Sequence, residues 1–161
     1  MLVRDLGFNP VSAGLMLMLV QLAGICGRLF LGWFADATGR SVRALGLSGL
    51  IAAACCLVVP FIDAAWPRPL MCVLFAIFGA AIFSWNGVFH AQLARLSPEG
   101  KVSIAIGGIM LWIYGGVLAG PALFALTYAQ VGHYTTVFGF LAVVAAVGWA
   151  CTLPARIIDR V

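Results

Sequence analysis

The chain alternates long uncharged stretches with short segments that hold almost all of its charge. Residues 11–34 are uncharged apart from Arg28, the stretch 43–62 carries no charge from Ala44 to Ile62, and the stretch 69–92 none from Leu70 to Gln92. After Lys101 no charge occurs until Arg156. A helix crosses the hydrocarbon core with about 20 mostly apolar residues, each rising about 1.5 Å. The first three stretches therefore each read as one span. The fourth would be about 80 Å long as a single helix, more than twice the core thickness, and must fold back. Its best break is Ala129-Gln130-Val131-Gly132-His133, a polar segment with a glycine. That places spans at about 102–128 and 134–155. The pattern predicts an all-α, polytopic bundle of five transmembrane helices over residues 1–161, with the lipid bilayer as its first partner.

Composition excludes the main competing classes. Of the 161 residues 64% are hydrophobic and 9% charged, against about 25% charged in soluble domains, and the mean hydropathy is +1.13. The net charge of +4 is spread singly or in pairs along the chain. With no basic stripe, nucleic acid is not an expected partner. Cys26, Cys55, Cys56, Cys72 and Cys151 are odd in number, form no C-x-x-C and all lie in apolar runs. They read as small apolar side chains, with neither a disulfide framework nor a metal site. No cofactor is expected. The N-terminus does not read as a signal peptide: Asp5 follows Arg4 at once, and no small-x-small site closes the apolar run before Arg28. That run reads as a retained span.

Charge also assigns sides. The loops after spans one and three and the C-terminus carry Arg40, Arg43, Arg95, Lys101, Arg156 and Arg160, whereas the opposite side carries Arg4 and Arg68. The excess of bases marks the cytoplasmic side, so the N-terminus is expected outside and the C-terminus inside. Trp66, near an external end, fits an interfacial anchor. Spans two and five hold few polar side chains and are expected to face lipid.

Within the spans there is no Asp or Glu, so this chain offers no carboxylate proton relay. Arg28 is the full charge inside a span. It reads as snorkelling from a helix end or pairing with a carboxylate, with contact to an anionic substrate as the alternative. Gly14, Gln21, Arg28, Gly32 and Asp36 recur at intervals of seven and four, which puts them on one helix face. Such a face is expected to look into the bundle. Gln21 lies close to mid-span, where it faces a cavity in the bundle or else bonds a neighbouring helix. Asn86 and His90 are one turn apart on span three. His90, near the cytoplasmic end, reads as interfacial rather than as a proton carrier, and Asn86 lies deeper. Tyr114, mid-span four, has a hydroxyl that needs a partner. Gln21, Asn86 and Tyr114 are the candidate cavity residues. Gly116 and Gly120 form a small-x-x-x-small pair suited to close helix approach. Pro121 removes a backbone donor and is expected to kink the helix, for packing or as a hinge.

The segment Gly32-Trp33-Phe34-Ala35-Asp36-Ala37-Thr38-Gly39-Arg40, between the first two spans, resembles the signature loop of the major facilitator superfamily of secondary transporters. Gly32, Asp36, Gly39 and Arg40 match the pattern, while Ala37 and Ser41 stand where the family often has bases. The resemblance continues through Trp85-Asn86-Gly87, Leu96-Ser97-Pro98-Glu99-Gly100-Lys101, Gly115-Gly116-Val117-Leu118-Ala119-Gly120-Pro121-Ala122-Leu123-Phe124 and Gly132-His133-Tyr134 with Phe138. This order is similar to helices eight to twelve of bacterial members. The resemblance implies the C-terminal part of such a transporter, seated in the inner (plasma) membrane. It further implies a missing N-terminal helix bundle as partner, a small-molecule substrate of unknown identity, and alternating access without catalysis. It also implies that Asp36 helps lock the cytoplasmic gate, with Gly32, Gly39 and Arg40 shaping the gating loop.

Two other readings stand beside it. A stand-alone small membrane protein, acting through a partner or as a dimer, fits the same spans. Gly46-Leu47-Ser48-Gly49 has the G-x-S-G form found around the nucleophile of rhomboid proteases, and that chemistry needs a histidine such as His90 beside Ser48.

Overall fold

The computed structural model describes residues 7–63, 65–132 and 134–155, the side chains of Tyr134 and Thr135 excepted. Arg4, Arg156 and Arg160, which help to assign sides, and His133, in the expected last break, lie outside the described residues. Five α-helices follow one another: α1 Pro10–Thr38, α2 Ser41–Val58, α3 Arg68–Leu96, α4 Val102–Val131 and α5 Tyr134–Ala155, with one 3-10 turn, Val59–Phe61, after α2. All five are long and apolar enough to cross a membrane, and no strand occurs among the described residues.

The helices begin and end on local chemistry. The Asn9 side chain accepts from the backbone N–H groups of Val11 and Ser12, with Pro10 in the first turn. α1 then runs 29 residues to Gly39, whose φ of 65° ends it. The apolar run alone predicts a stop at Phe34. The helix continues because Ala35 and Ala37 favour helix and nothing before Gly39 breaks it, while Thr38 Oγ donates back to the Phe34 carbonyl at 2.7 Å. Asp36 therefore sits on the last turn of a helix, and the turn itself is only Gly39-Arg40. α3 likewise runs to Leu96, a turn beyond the expected 92, before extended Ser97 precedes Pro98. α4 passes through Pro121 and ends at Gly132, φ 73°. Of the expected five-residue break, Ala129, Gln130 and Val131 are helical.

Close packing is concentrated where α1 meets α3, the most extensive contact of the bundle. A Cβ at Gly27 would lie 2.7 Å from the Ala80 carbonyl oxygen, and one at Gly24 would lie 2.9 Å from Phe83 Cβ. One at Gly79 would overlap the Val20 carbonyl. Glycine is thus required at Gly27 and Gly79, where the two backbones nearly touch, and at Gly24, where the base of the Phe83 side chain lies against α1. Leu31, Ala35, Ala44 and Val88 form a buried cluster near the α1–α2 turn, and Phe8, Met16, Val59, Ile62 and Met71 form another at the opposite end. Trp66 packs against the second cluster, and Arg68 lies 5.8 Å over the Phe8 ring.

α2 packs on both α3 and α5 and buries Ala44, Gly46, Ser48, Ala52, Ala53, Cys55 and Cys56. It is thus the most buried helix of the bundle, although Leu47, Leu50 and Leu57 stay exposed. α4 buries no residue and touches α3 and α5 only lightly. Helix association in a membrane is driven by fit rather than by removing apolar surface from water, so a row of small residues, not polarity, marks an internal helix.

Candidate functional site

Between α1, α3 and α4 lies a cavity of about 610 Å³, within the range of about 300–1,000 Å³ typical of small-molecule sites. α3 contributes Phe83, Asn86, Gly87 and His90, at spacings of three, four and seven that put them on one face. α1 contributes Arg28, and α4 contributes Met110, Ile113, Tyr114 and Val117. Apolar walls thus surround four polar side chains: Arg28, Asn86, His90 and Tyr114.

Arg28 is held in place. Its Nε donates to the Phe83 carbonyl at 3.5 Å, and its Cγ lies 3.7 Å from where a Cβ on Gly87 would be. The stem therefore lies along a glycine of α3. No carboxylate among the described residues pairs with Arg28 or lines the cavity. A guanidinium presents a planar set of donors, a geometry that suits an anion. Asn86 can donate or accept, and Tyr114 adds a hydroxyl. Donors of this kind set among apolar walls are chemically able to hold an anionic end and an apolar body.

Of the cavity residues expected from the sequence, Asn86 and Tyr114 line this space together. Gln21 does not: it is exposed on α1, two turns from Arg28 along the same face. Gly14 lies on that face too, and a Cβ placed there would meet nothing within 4 Å. The polar face of α1 is thus exposed at Gly14 and Gln21, enters the cavity at Arg28 and reaches a second, smaller space at Gly32 and Asp36.

That second space, about 90 Å³, is lined by Gly32, Ala35, Asp36, Ser41, Gly87 and Arg95 among others. Asp36 Oδ1 meets Arg95 Nη2 at 3.4 Å, joining the last turns of α1 and α3. In the sequence Arg95 is only a marker of sidedness. The available signal is that it shares a membrane face with Asp36, but sequence spacing does not say which spans are neighbours. Gly39 and Arg40 form the turn beside this pair and neither lines the crevice.

Gly116 and Gly120 lie on exposed α4, and a Cβ on either meets nothing within 4 Å. Ser48 is buried, donates to the Leu45 carbonyl at 2.9 Å and lines an apolar crevice between α1, α2 and α3. His90 lines the other cavity, so the structure does not bring the two residues of the protease reading together.

Five helices long and apolar enough to cross a membrane, three of them lining a solute-sized space with a few convergent polar groups, define a polytopic membrane protein. The sequence profile of the Major Facilitator Superfamily matches residues 1–160, and the chain belongs to this family of membrane transporters. It is similar to monocarboxylate transporter 13 of Bos taurus, 28% identical over 137 residues, which is 84% of this chain and 31% of that protein. The chain thus spans under a third of the length of that relative. No solved structure matches it. Family and relative both point to a transporter rather than an enzyme.

Proposed function

We propose that the chain is the C-terminal part of a secondary transporter that moves a small organic anion, a monocarboxylate, by alternating access. The observation that carries this reading is Arg28, positioned over Gly87 and lining a cavity of about 610 Å³ with Asn86 and Tyr114. The name of the bovine relative supports the same ligand class. The bundle would sit in the inner (plasma) membrane with its N-terminus outside and its C-terminus inside, facing an N-terminal helix bundle across the cavity. That partner would complete the site, since substrates in such transporters bind where two repeats meet. Gln21, on the same face as Arg28, would join the substrate path when the partner bundle is present. Asp36, supported by Arg95 and flanked by Gly32, Gly39 and Arg40, would hold the cytoplasmic gate. Gly116, Gly120 and Pro121 would let α4 pack closely or bend as the bundles rock.

A cysteine at Asn86 in the protein as its native gene encodes it tests the site. Benzoate or pyruvate should slow alkylation of Asn86→Cys in a saturable way, while equal concentrations of a neutral amide analogue should not. Equal protection by anion and amide, or none, would reject an anion site at this cavity.

A further inference from the structure

The crevice between α1, α2 and α3, about 180 Å³ in volume, differs in kind from the larger cavity. Its walls include Phe30 of α1, Leu47 and Ile51 of α2 and Ala80 of α3, with no charged side chain in the described lining. Two hydroxyls line it, those of buried Ser48 and Ser84. Each donates to a carbonyl of its own helix, Leu45 at 2.9 Å and Ala81 at 3.2 Å. We infer that this crevice seats one acyl chain of an anionic phospholipid, whose phosphate is held by Arg40 and Arg43 at the start of α2. The inference does not depend on what the larger cavity binds.

The shape and chemistry of the crevice suit hydrocarbon. Its volume falls below the range of about 300–1,000 Å³ of small-molecule sites, so it takes a segment of chain rather than a whole solute. A hydroxyl that is already hydrogen-bonded costs little to cover with an apolar group. The crevice opens to the outside of the bundle, where Phe30 is 63% and Leu47 45% exposed. One turn beyond Phe30 stands exposed Trp33, its ring 6.0 Å from the Phe30 ring. Trp33 lies five residues before the end of α1, about 8 Å along the axis. Tryptophan near a span end marks the headgroup level of a bilayer, so lipid reaches this side of α1.

The headgroup assignment follows from register and charge. Arg40 precedes α2 and Arg43 lies in its first turn, which holds no acid. Arg40 stands seven and eleven residues before Leu47 and Ile51, and Arg43 four and eight, so both arginines lie above the face that lines the crevice. Leu47 and Ile51 are six and ten residues past Ser41, about 9 and 15 Å deeper. The hydrocarbon core is about 30 Å thick under headgroup layers of several Å. A groove at that depth therefore runs beside an acyl chain whose phosphate is level with the arginines. Among the described residues at this end, Arg40, Arg43, Arg95 and Lys101 stand against Asp36 and Glu99, whereas the opposite end has Arg68 against Asp63. Asp36, the acid nearest Arg40 in sequence, meets Arg95. The surplus of positive charge lies on the same side as the crevice mouth and favours an anionic headgroup over a zwitterionic one, with guanidinium forks matched to phosphate oxygens.

The test uses the protein as its native gene encodes it, in phosphatidylcholine nanodiscs that contain phosphatidylglycerol with a diazirine on one acyl chain. After illumination the labelled residues are mapped by mass spectrometry. Labelling of residues 27–31 and 47–51 should saturate as the probe's mole fraction rises and should fall when unlabelled phosphatidylglycerol is added. It should exceed labelling by a diazirine phosphatidylcholine by at least about fivefold, the factor expected for one basic residue near an anionic headgroup. Joint replacement, Arg40→Gln with Arg43→Gln, should remove the preference between the two lipids. Ile51→Phe, which narrows the crevice, should lower labelling there by either lipid. Both variants should match wild type in helical content and retention on size exclusion. Equal labelling of wild type by the two lipids, or labelling that rises linearly without saturation, overturns the site and makes the crevice ordinary bilayer contact. A preference that survives loss of both arginines overturns their role and with it the inference. Absence of labelling by either lipid also overturns it and assigns the crevice to a protein partner, a second copy if Leu47→Cys crosslinks between chains.

Discussion

Replacing Gly27 by alanine is the sharpest perturbation of the fold, because the obstacle is backbone. The added methyl would lie 2.7 Å from the Ala80 carbonyl oxygen and 2.8 Å from Ala80 Cα, where contacts between non-bonded heavy atoms are comfortable at about 3.5–4.0 Å. The α1 and α3 backbones must therefore part by about 1 Å. Overpacking of this kind costs about 1–3 kcal/mol, and the better helix propensity of alanine returns about 1 kcal/mol. Because no flexible side chain can swing away, the upper part of that range applies, a net loss of about 2 kcal/mol. Gly79→Ala meets the Val20 carbonyl in the same seam and should cost a similar amount. The double variant should fall short of the sum, since parting the helices once relieves both overlaps. Gly116→Ala and Gly120→Ala, where nothing lies within 4 Å, should be neutral or gain up to about 1 kcal/mol. Unfolding by dodecyl sulfate in mixed micelles, followed by tryptophan fluorescence, reads these differences. If Gly27→Ala and Gly79→Ala are as stable as Gly116→Ala, the two backbones do not nearly touch and the placement of Arg28 beside the seam loses its basis.

The Asp36–Arg95 pair, exposed on both sides, should contribute no more than about 1 kcal/mol to stability. Asp36→Asn and Arg95→Gln should nevertheless each lower transport at matched expression and raise cytoplasmic-side labelling of a cysteine at Asn86. A double-mutant cycle showing independent effects on transport would separate the two residues. At Gly87 an added methyl meets only the Arg28 stem, at 3.7 Å. Gly87→Ala should therefore keep monocarboxylate binding within about threefold, while Gly87→Leu, by displacing the stem, should weaken it by at least about tenfold, the loss expected for one charge-assisted hydrogen bond. Equal binding by both variants in the calorimeter would mean that Arg28 is not held over Gly87.

The number and order of the helices are legible directly in the uncharged runs, because a span needs length and apolarity and both are local properties. The helix ends are less legible. Asp36 and Arg95 lie on helical turns because polar residues at the membrane surface need not end a helix, so α1 and α3 outrun their apolar stretches. Hydropathy does not single out α2 as the most buried helix, since its alanines, glycines and cysteines look as lipid-compatible as leucine but serve to let α3 and α5 approach. The site is legible one helix at a time. Asn86 and Tyr114 stand out as polar groups in mid-span, and they do share a cavity. Arg28 reads chiefly as a snorkelling residue in the sequence, because its place above Gly87 and its lack of a described carboxylate partner depend on how α1 crosses α3. Gly24, Gly27 and Gly79 are silent in the sequence for the same reason: a glycine needed for helix contact differs from an idle one only in its neighbour.

Counterflow most directly tests whether this cavity carries a monocarboxylate anchored by Arg28. Proteoliposomes loaded with unlabelled pyruvate, containing the protein as its native gene encodes it, should accumulate labelled pyruvate transiently and saturably. Arg28→Gln should abolish the overshoot, and Arg28→Lys, which keeps the charge but loses the planar fork, should retain a reduced one. An overshoot of wild-type size in Arg28→Gln would contradict the account.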